Sequence, residues 1–172
     1  MSDDGPDRRR FLKLATCGIG GAVGAAVVIP ALSLVVHPSR VQTVTTPKDP
    51  LDVGPATGVG EIWTKVDVVA PEVRDAWISA RDVVLGAAYV RLRAGKPEAL
   101  SAVCPHLGCP VGYDGKSFLC PCHDSRFGDG GETVGAGPAK RGLDPLPVQI
   151  VDGRLRLTWV RYKLDTATRE PA

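Results

Sequence analysis

Two short segments constrain this 172-residue chain more than anything else in it: Cys104-Pro105-His106-Leu107-Gly108-Cys109 and, eleven residues later, Cys120-Pro121-Cys122-His123. Four of the five cysteines and two of the three histidines lie in these twenty residues. Each half offers one Cys and one His able to bind metal, as Cys104-x-His106 and Cys120-x-x-His123. Each half also carries a second cysteine, Cys109 or Cys122, in a matching place. Two thiolates and two imidazoles suit a tetrahedral zinc ion. They equally suit a [2Fe–2S] cluster in which His replaces Cys on one iron. Zinc would engage four ligands and leave Cys109 and Cys122 without a role, so the cluster is the better reading.

Length allows one domain with some chain to spare. Net charge is only +2, which excludes the basic footprint of a nucleic-acid binder. Aromatics make up 5% of the chain, against 20 glycines and 15 prolines. That balance favours a loop-rich β domain over a helical bundle.

The positive charge is local. Arg8, Arg9, Arg10 and Lys13 crowd the N-terminus, and Arg8-Arg9-Arg10-Phe11-Leu12-Lys13 matches the R-R-x-F-L-K core of a twin-arginine export signal. A plain positive flank that orients a membrane helix is the other reading. Residues 14–36 follow as 23 residues without a charge, enough to cross the hydrocarbon core and longer than the apolar stretch of a removable signal. An uncleaved transmembrane anchor is expected, N-terminus cytoplasmic and the rest outside, with Pro30 a candidate kink and Cys17 a plain apolar thiol. Gly18, Gly20, Gly21 and Gly24 would either admit a partner helix closely or simply lower the hydrophobicity. Residues 1–13 are then a cytoplasmic twin-arginine segment. Residues 37–60, rich in Pro and Gly with no hydrophobic period, read as a flexible linker, and His37 as a membrane-edge residue.

From Glu61 the pattern changes to short strands. Residues 61–69 alternate in part, and 82–85 and 88–92 flank Gly86 like a hairpin or a bulge. Residues 147–151 and 154–160 are joined by Asp152-Gly153, a two-residue hairpin signal. Leu155, Leu157 and Trp159 alternate with Arg154, Arg156 and Thr158, predicting a half-buried strand. The head is therefore expected at 61–164, with a polar tail of no evident role at 165–172.

The pattern C-x-H-x-x-C followed by C-x-C-H, reading on into Ser125 and Gly137-Pro138-Ala139, resembles the Rieske iron–sulfur proteins. The resemblance implies an all-β antiparallel Rieske domain behind one transmembrane helix, with an inserted cluster-binding subdomain at about residues 101–142. It implies Cys104 and Cys120 on a buried iron, His106 and His123 on an outer iron near the surface, and Ser125 donating to a cluster sulfide. It also implies a Cys109–Cys122 disulfide between the loops, a feature of the respiratory branch and one that persists outside the cytoplasm. Phe127 falls where high-potential members have a tyrosine hydroxyl, so a lower potential is expected. Asp124, in place of the usual glycine, is either a second charge pushing the same way or a turn residue tolerating positive φ. Pro105 and Lys140 also depart from the pattern, touching no ligand.

The function implied is the Rieske subunit of a quinol–cytochrome c oxidoreductase of the bc type in a bacterial inner membrane. It would accept an electron, with proton coupling, from quinol at a cytochrome b subunit and pass it to a c-type cytochrome. His123 and His106 would face the quinol, menaquinol being favoured. Other subunits of a respiratory complex are expected as partners. The Rieske subunit of a periplasmic oxidoreductase such as arsenite oxidase is the alternative.

Overall fold

A computed structural model describes residues 7–40, 49–74 and 78–172. Residues 1–6 of the export segment, linker residues 41–48 and the side chain of His37 lie outside the described residues.

The N-terminal unit is one helix, α1 (Arg8–Arg40), of 33 residues. Asp7 starts it: its carbonyl accepts the Arg10 and Phe11 amides, and its Oδ1 accepts the Arg9 amide at 3.1 Å. That is the work of an N-cap, satisfying donors that have no partner in the first turn. The stretch Arg8–Val36 is long and apolar enough to cross a membrane. The helix continues through Pro30, whose carbonyl accepts the Ser33 hydroxyl at 2.8 Å.

The head is three antiparallel sheets. The first joins β1 (Leu51–Pro55), β10 (Arg154–Leu157) and β9 (Val148–Val151), in the order β1-β10-β9. The second joins β2 (Thr64–Arg74), β3 (Ser79–Arg93) and β4 (Lys96–Ser101) in chain order. The third is small: β5 (Gly112–Tyr113), β6 (Phe118–Cys120), β7 (Ser125–Phe127) and β8 (Thr133–Val134), also in chain order.

The second sheet is the wall between two cores. Alternate side chains of a strand point to opposite faces. Accordingly Ala88 and Val90 of β3 and Ala99 of β4 join a base core with Leu51, Val68, Leu146, Leu155, Leu157 and Trp159. Tyr89 and Leu100, their neighbours in sequence, face the other way, into a core with Trp63, Val111, Phe118, Phe127 and Leu143. The buried Cys104 and Cys120 belong to this second core.

Several expectations are met in detail. Asp152 and Gly153 both have positive φ, 50° and 73°, as a two-residue hairpin turn requires. Leu155, Leu157 and Trp159 are buried. Gly86 marks a bulge, not a hairpin: β3 is continuous, and its register against β2 shifts at Val68/Val69. A Cβ on Gly86 would lie 2.6 Å from Cη2 of Trp159, so the indole seats where only glycine leaves room.

Two boundaries differ. Strand β1 lies inside the stretch read as linker, its four register partners all on β10. Its five residues carry little strand signal because Leu51 and Val53 are separated by Asp52 and followed by Gly-Pro, too short a pattern to read alone. Residues 165–172 are not a loose tail: Tyr162 bridges Pro171, and the Lys163 amide donates to the Glu170 carbonyl at 2.8 Å.

Candidate metal centre

The two motif loops sit at one end of the small sheet. The first runs between Val103 and Pro110, which face each other in a bridge. It is closed by Cys104 N–H donating to Cys109 O (2.8 Å) and Gly108 N–H to Cys104 O (2.9 Å). The second is the turn between β6 and β7, where Cys120 pairs with Ser125. Asp124 closes that turn with φ +53°, the conformation expected of a residue standing in for glycine. Its carboxylate meets Arg126 Nη2 at 3.0 Å, which offsets its charge beside His123.

Cys109 and Cys122 are joined in a disulfide, with Cα atoms 6.6 Å apart, so a covalent bond ties the loops together. Their sulfurs and that of Cys120 lie within 4.8 Å of one another. With that pair bonded to each other, Cys104 and Cys120 are the buried free thiols. Burial pushes the Cys104 thiol upward, with Cys120 nearby adding to the shift. A thiolate in such a place needs a cation beside it.

The histidines lie further out. His106 is half-buried and His123 exposed, their rings 4.8 Å apart and nearly perpendicular at 81°. Nδ1 of His106 is buried and has no hydrogen-bond partner. An unpaired buried ring nitrogen costs free energy unless something satisfies it, and coordination to a metal ion would do so. Two inner thiols, two outer imidazoles and an orphaned Nδ1 fit a [2Fe–2S] cluster. Cys17 is an exposed free cysteine on α1.

A third loop covers the site. Gly137 packs so closely on Ser125 that a Cβ would stand 2.4 Å from its Cα. Ser125 Oγ accepts the Ala139 amide at 3.2 Å, leaving the hydroxyl proton free to donate. Phe127 is fully buried in the same core as Cys104 and Cys120.

Sequence reasoning missed what supports these loops. Arg91, buried beneath the small sheet, stacks 4.1 Å over Trp63 and pairs with Glu98 and Asp129. Asp129 also accepts the Tyr113 hydroxyl (2.9 Å), and its backbone carbonyl accepts the Trp63 indole N–H (2.8 Å). The Arg91 guanidinium holds the Asp129 carboxyl below its ordinary pKa. Arg141 and Asp144 form an ion pair with both partners buried, whereas the side chains of Glu98 and Asp129 are 40% and 53% exposed. A lone Arg or Asp among many carries no signal of a partner 38 residues away, as for Arg91 and Asp129.

A β head whose two loops carry two buried thiols and two neighbouring imidazoles fits an iron–sulfur electron-transfer domain. The Rieske [2Fe-2S] domain family matches residues 66–149, and the ubiquitinol-cytochrome C reductase Fe-S subunit TAT signal family matches residues 1–33. The menaquinol:cytochrome c reductase iron-sulfur subunit of Geobacillus thermodenitrificans is 31% identical over 157 residues, 87% of this chain and 89% of that one. Its counterpart in Bacillus subtilis is 28% identical over 155 residues (87% and 90%). The ubiquinol-cytochrome c reductase iron-sulfur subunit of Blastochloris viridis is 31% identical over 160 residues (84% and 88%). This chain belongs to the Rieske iron–sulfur family.

Proposed function

We propose that the head carries its [2Fe–2S] cluster on Cys104, Cys120, His106 and His123, and relays electrons from a quinol to a c-type cytochrome. The observation that carries the ligand set is the orphaned, buried Nδ1 of His106, on the same loop as the buried Cys104 and with its ring 4.8 Å from that of His123. When bound, a cluster with two neutral imidazoles in place of thiolates supplies a one-electron acceptor of raised potential. The chain's own part is to bind, orient and manage protons. Cys104 and Cys120 would anchor the cluster from the core, and Ser125 has a hydroxyl proton free to donate to it. The outer ring nitrogens of His106 and His123 accept a hydrogen bond and then a proton from the quinol hydroxyl, because both imidazoles reach toward solvent. The disulfide keeps both loops over the site during that exchange.

The donor is quinol held by a cytochrome b subunit in a bc-type complex with further subunits, and menaquinol is favoured. Phe127, with no hydroxyl to offer the ligand cysteines, and two relatives named for menaquinol support that choice. Arg8–Val36 anchors the chain in a bacterial inner membrane with its N-terminus cytoplasmic and the head outside, as the export signal supports.

Electron paramagnetic resonance of the reduced protein, with redox titration, tests the centre. A rhombic [2Fe–2S] signal is expected, and a silent, zinc-loaded protein would sink the reading. Co-purification with b-type haem tests the complex, and purification with a different redox enzyme would overturn it.

A further inference from the structure

We propose that segment 163–169 is a brace for the first ligand loop, coupled to the covering loop through Lys140 and Arg141, and that it positions His106. Its effect on the centre rests on reading His106 as a ligand; its effect on the loop does not.

The segment is itself held firmly. The Ala172 amide donates to Arg161 O at 2.9 Å and that of Lys163 to Glu170 O at 2.8 Å, closing residues 161–172 on themselves. At the turn, Asp165 has φ +55° and directs its amide at Pro105 O, 2.9 Å away. That carbonyl belongs to the peptide leading into His106. On the far side of His106, Gly108 sits against Leu164, where a Cβ would be 3.2 Å from Cδ1. Two consecutive residues of the brace therefore touch the ligand loop on both sides of its histidine.

The same turn holds the covering loop. Lys140 directly follows Gly137-Pro138-Ala139 and donates to Asp165 O and Oδ2, both at 3.0 Å. Its neighbour Arg141 is buried and uses all five guanidinium N–H groups. Nε and Nη2 grip Asp144 Oδ1 and Oδ2 at 2.8 Å each. Nη1 reaches Thr166 O (2.7 Å) and Oγ1 (2.8 Å), and Nη2 also reaches Lys163 O (2.9 Å). Arg169 adds a contact to Asp144 at 3.3 Å.

Magnitudes separate the parts. The Lys140–Asp165 pair is half exposed, so its charge attraction is screened and modest. Arg141 is the keystone: buried and fully paired, it cannot lose its fork without stranding Asp144 and two carbonyls. Groups that orient a ligand from behind set how stiffly it is held.

The test uses the full chain in detergent, with Lys140→Ala, Lys140→Arg and Arg141→Lys. Hydrogen exchange across residues 104–109 and the resonance line shape with its midpoint potential are the readouts. Loop protection should fall about tenfold or more in Arg141→Lys and about threefold in Lys140→Ala, with β9–β10 unchanged. Lys140→Arg should restore it, and the line shape should broaden and the potential move in step with protection. Unchanged loop protection in Lys140→Ala overturns the brace, even where Arg141→Lys fails to fold. Lost protection with an unmoved line shape and potential overturns the positioning role. A wild-type protein without the resonance, its loop still loosened by Lys140→Ala, overturns the ligand reading and leaves the brace standing.

Discussion

The two cores of the head share a wall but are held by different means. In the base core, Val68 and Val90 come from the long strands β2 and β3 and Leu155 and Leu157 from the four-residue β10, and burial of apolar area is the main stabiliser. In the cluster core the strands are two or three residues long. Too little ladder remains there to hold loops in place, so cross-links take over: a disulfide, the Arg91–Asp129 hub, and Gly137 on Ser125. The difference teaches where function can sit. A region held by a few specific ties can present four ligands from irregular loops, while the base supplies the rigidity.

The largest effect should come from the cluster core. His123→Ala should lose the visible absorbance of the cluster altogether, while Cys17→Ser retains it. Loss in the Cys17 variant would mean that the ligands are not confined to the two loops.

Next should come the base. Leu155→Ala removes a fully buried side chain from the middle of β10 and should cost about 2–5 kcal/mol in denaturant unfolding of the whole head. A cost near zero would mean that area burial is not what holds the base together.

The disulfide should follow. Cys109→Ser with Cys122→Ser frees a closure over 13 residues, for which about 3 kcal/mol is expected. Hydrogen exchange should locate the loosening in the loops and spare β9–β10. In the native protein, alkylation after denaturation should label neither cysteine until a reductant is added. Labelling of both beforehand would contradict the cross-link.

The smallest effect sharpens the comparison most. Phe127→Tyr places one hydroxyl in the cluster core, with the ligand cysteines as its natural acceptors. A neutral hydrogen bond of about 1 kcal/mol that favours the reduced state should raise the midpoint potential by roughly 50 mV. No rise in a redox titration would show that residue 127 does not address the cluster, and the inference to menaquinol would lose its main support.

What could be read from the residues alone was whatever is local. The spacing of Cys104, His106, Cys120 and His123 points to metal chemistry because each loop holds its Cys–His pair within a few residues. Asp152-Gly153 declares its turn because positive φ at two positions selects those residues, and the 23 uncharged residues declare a span by length alone. The tertiary structure decided everything that depends on partners far along the chain. Strand β1 is too short to announce itself and exists because β10 offers it hydrogen bonds. Arg141 looks like any surface arginine until the fold buries it against Asp144, Lys163 and Thr166. Residues 165–172 look like a solvated tail because their polar groups find backbone carbonyls, not apolar neighbours, and hydrogen-bond partners leave no periodicity in a sequence. Pairing across such distances is a property of the folded chain, and the polar scaffold around the metal loops is built almost wholly from it.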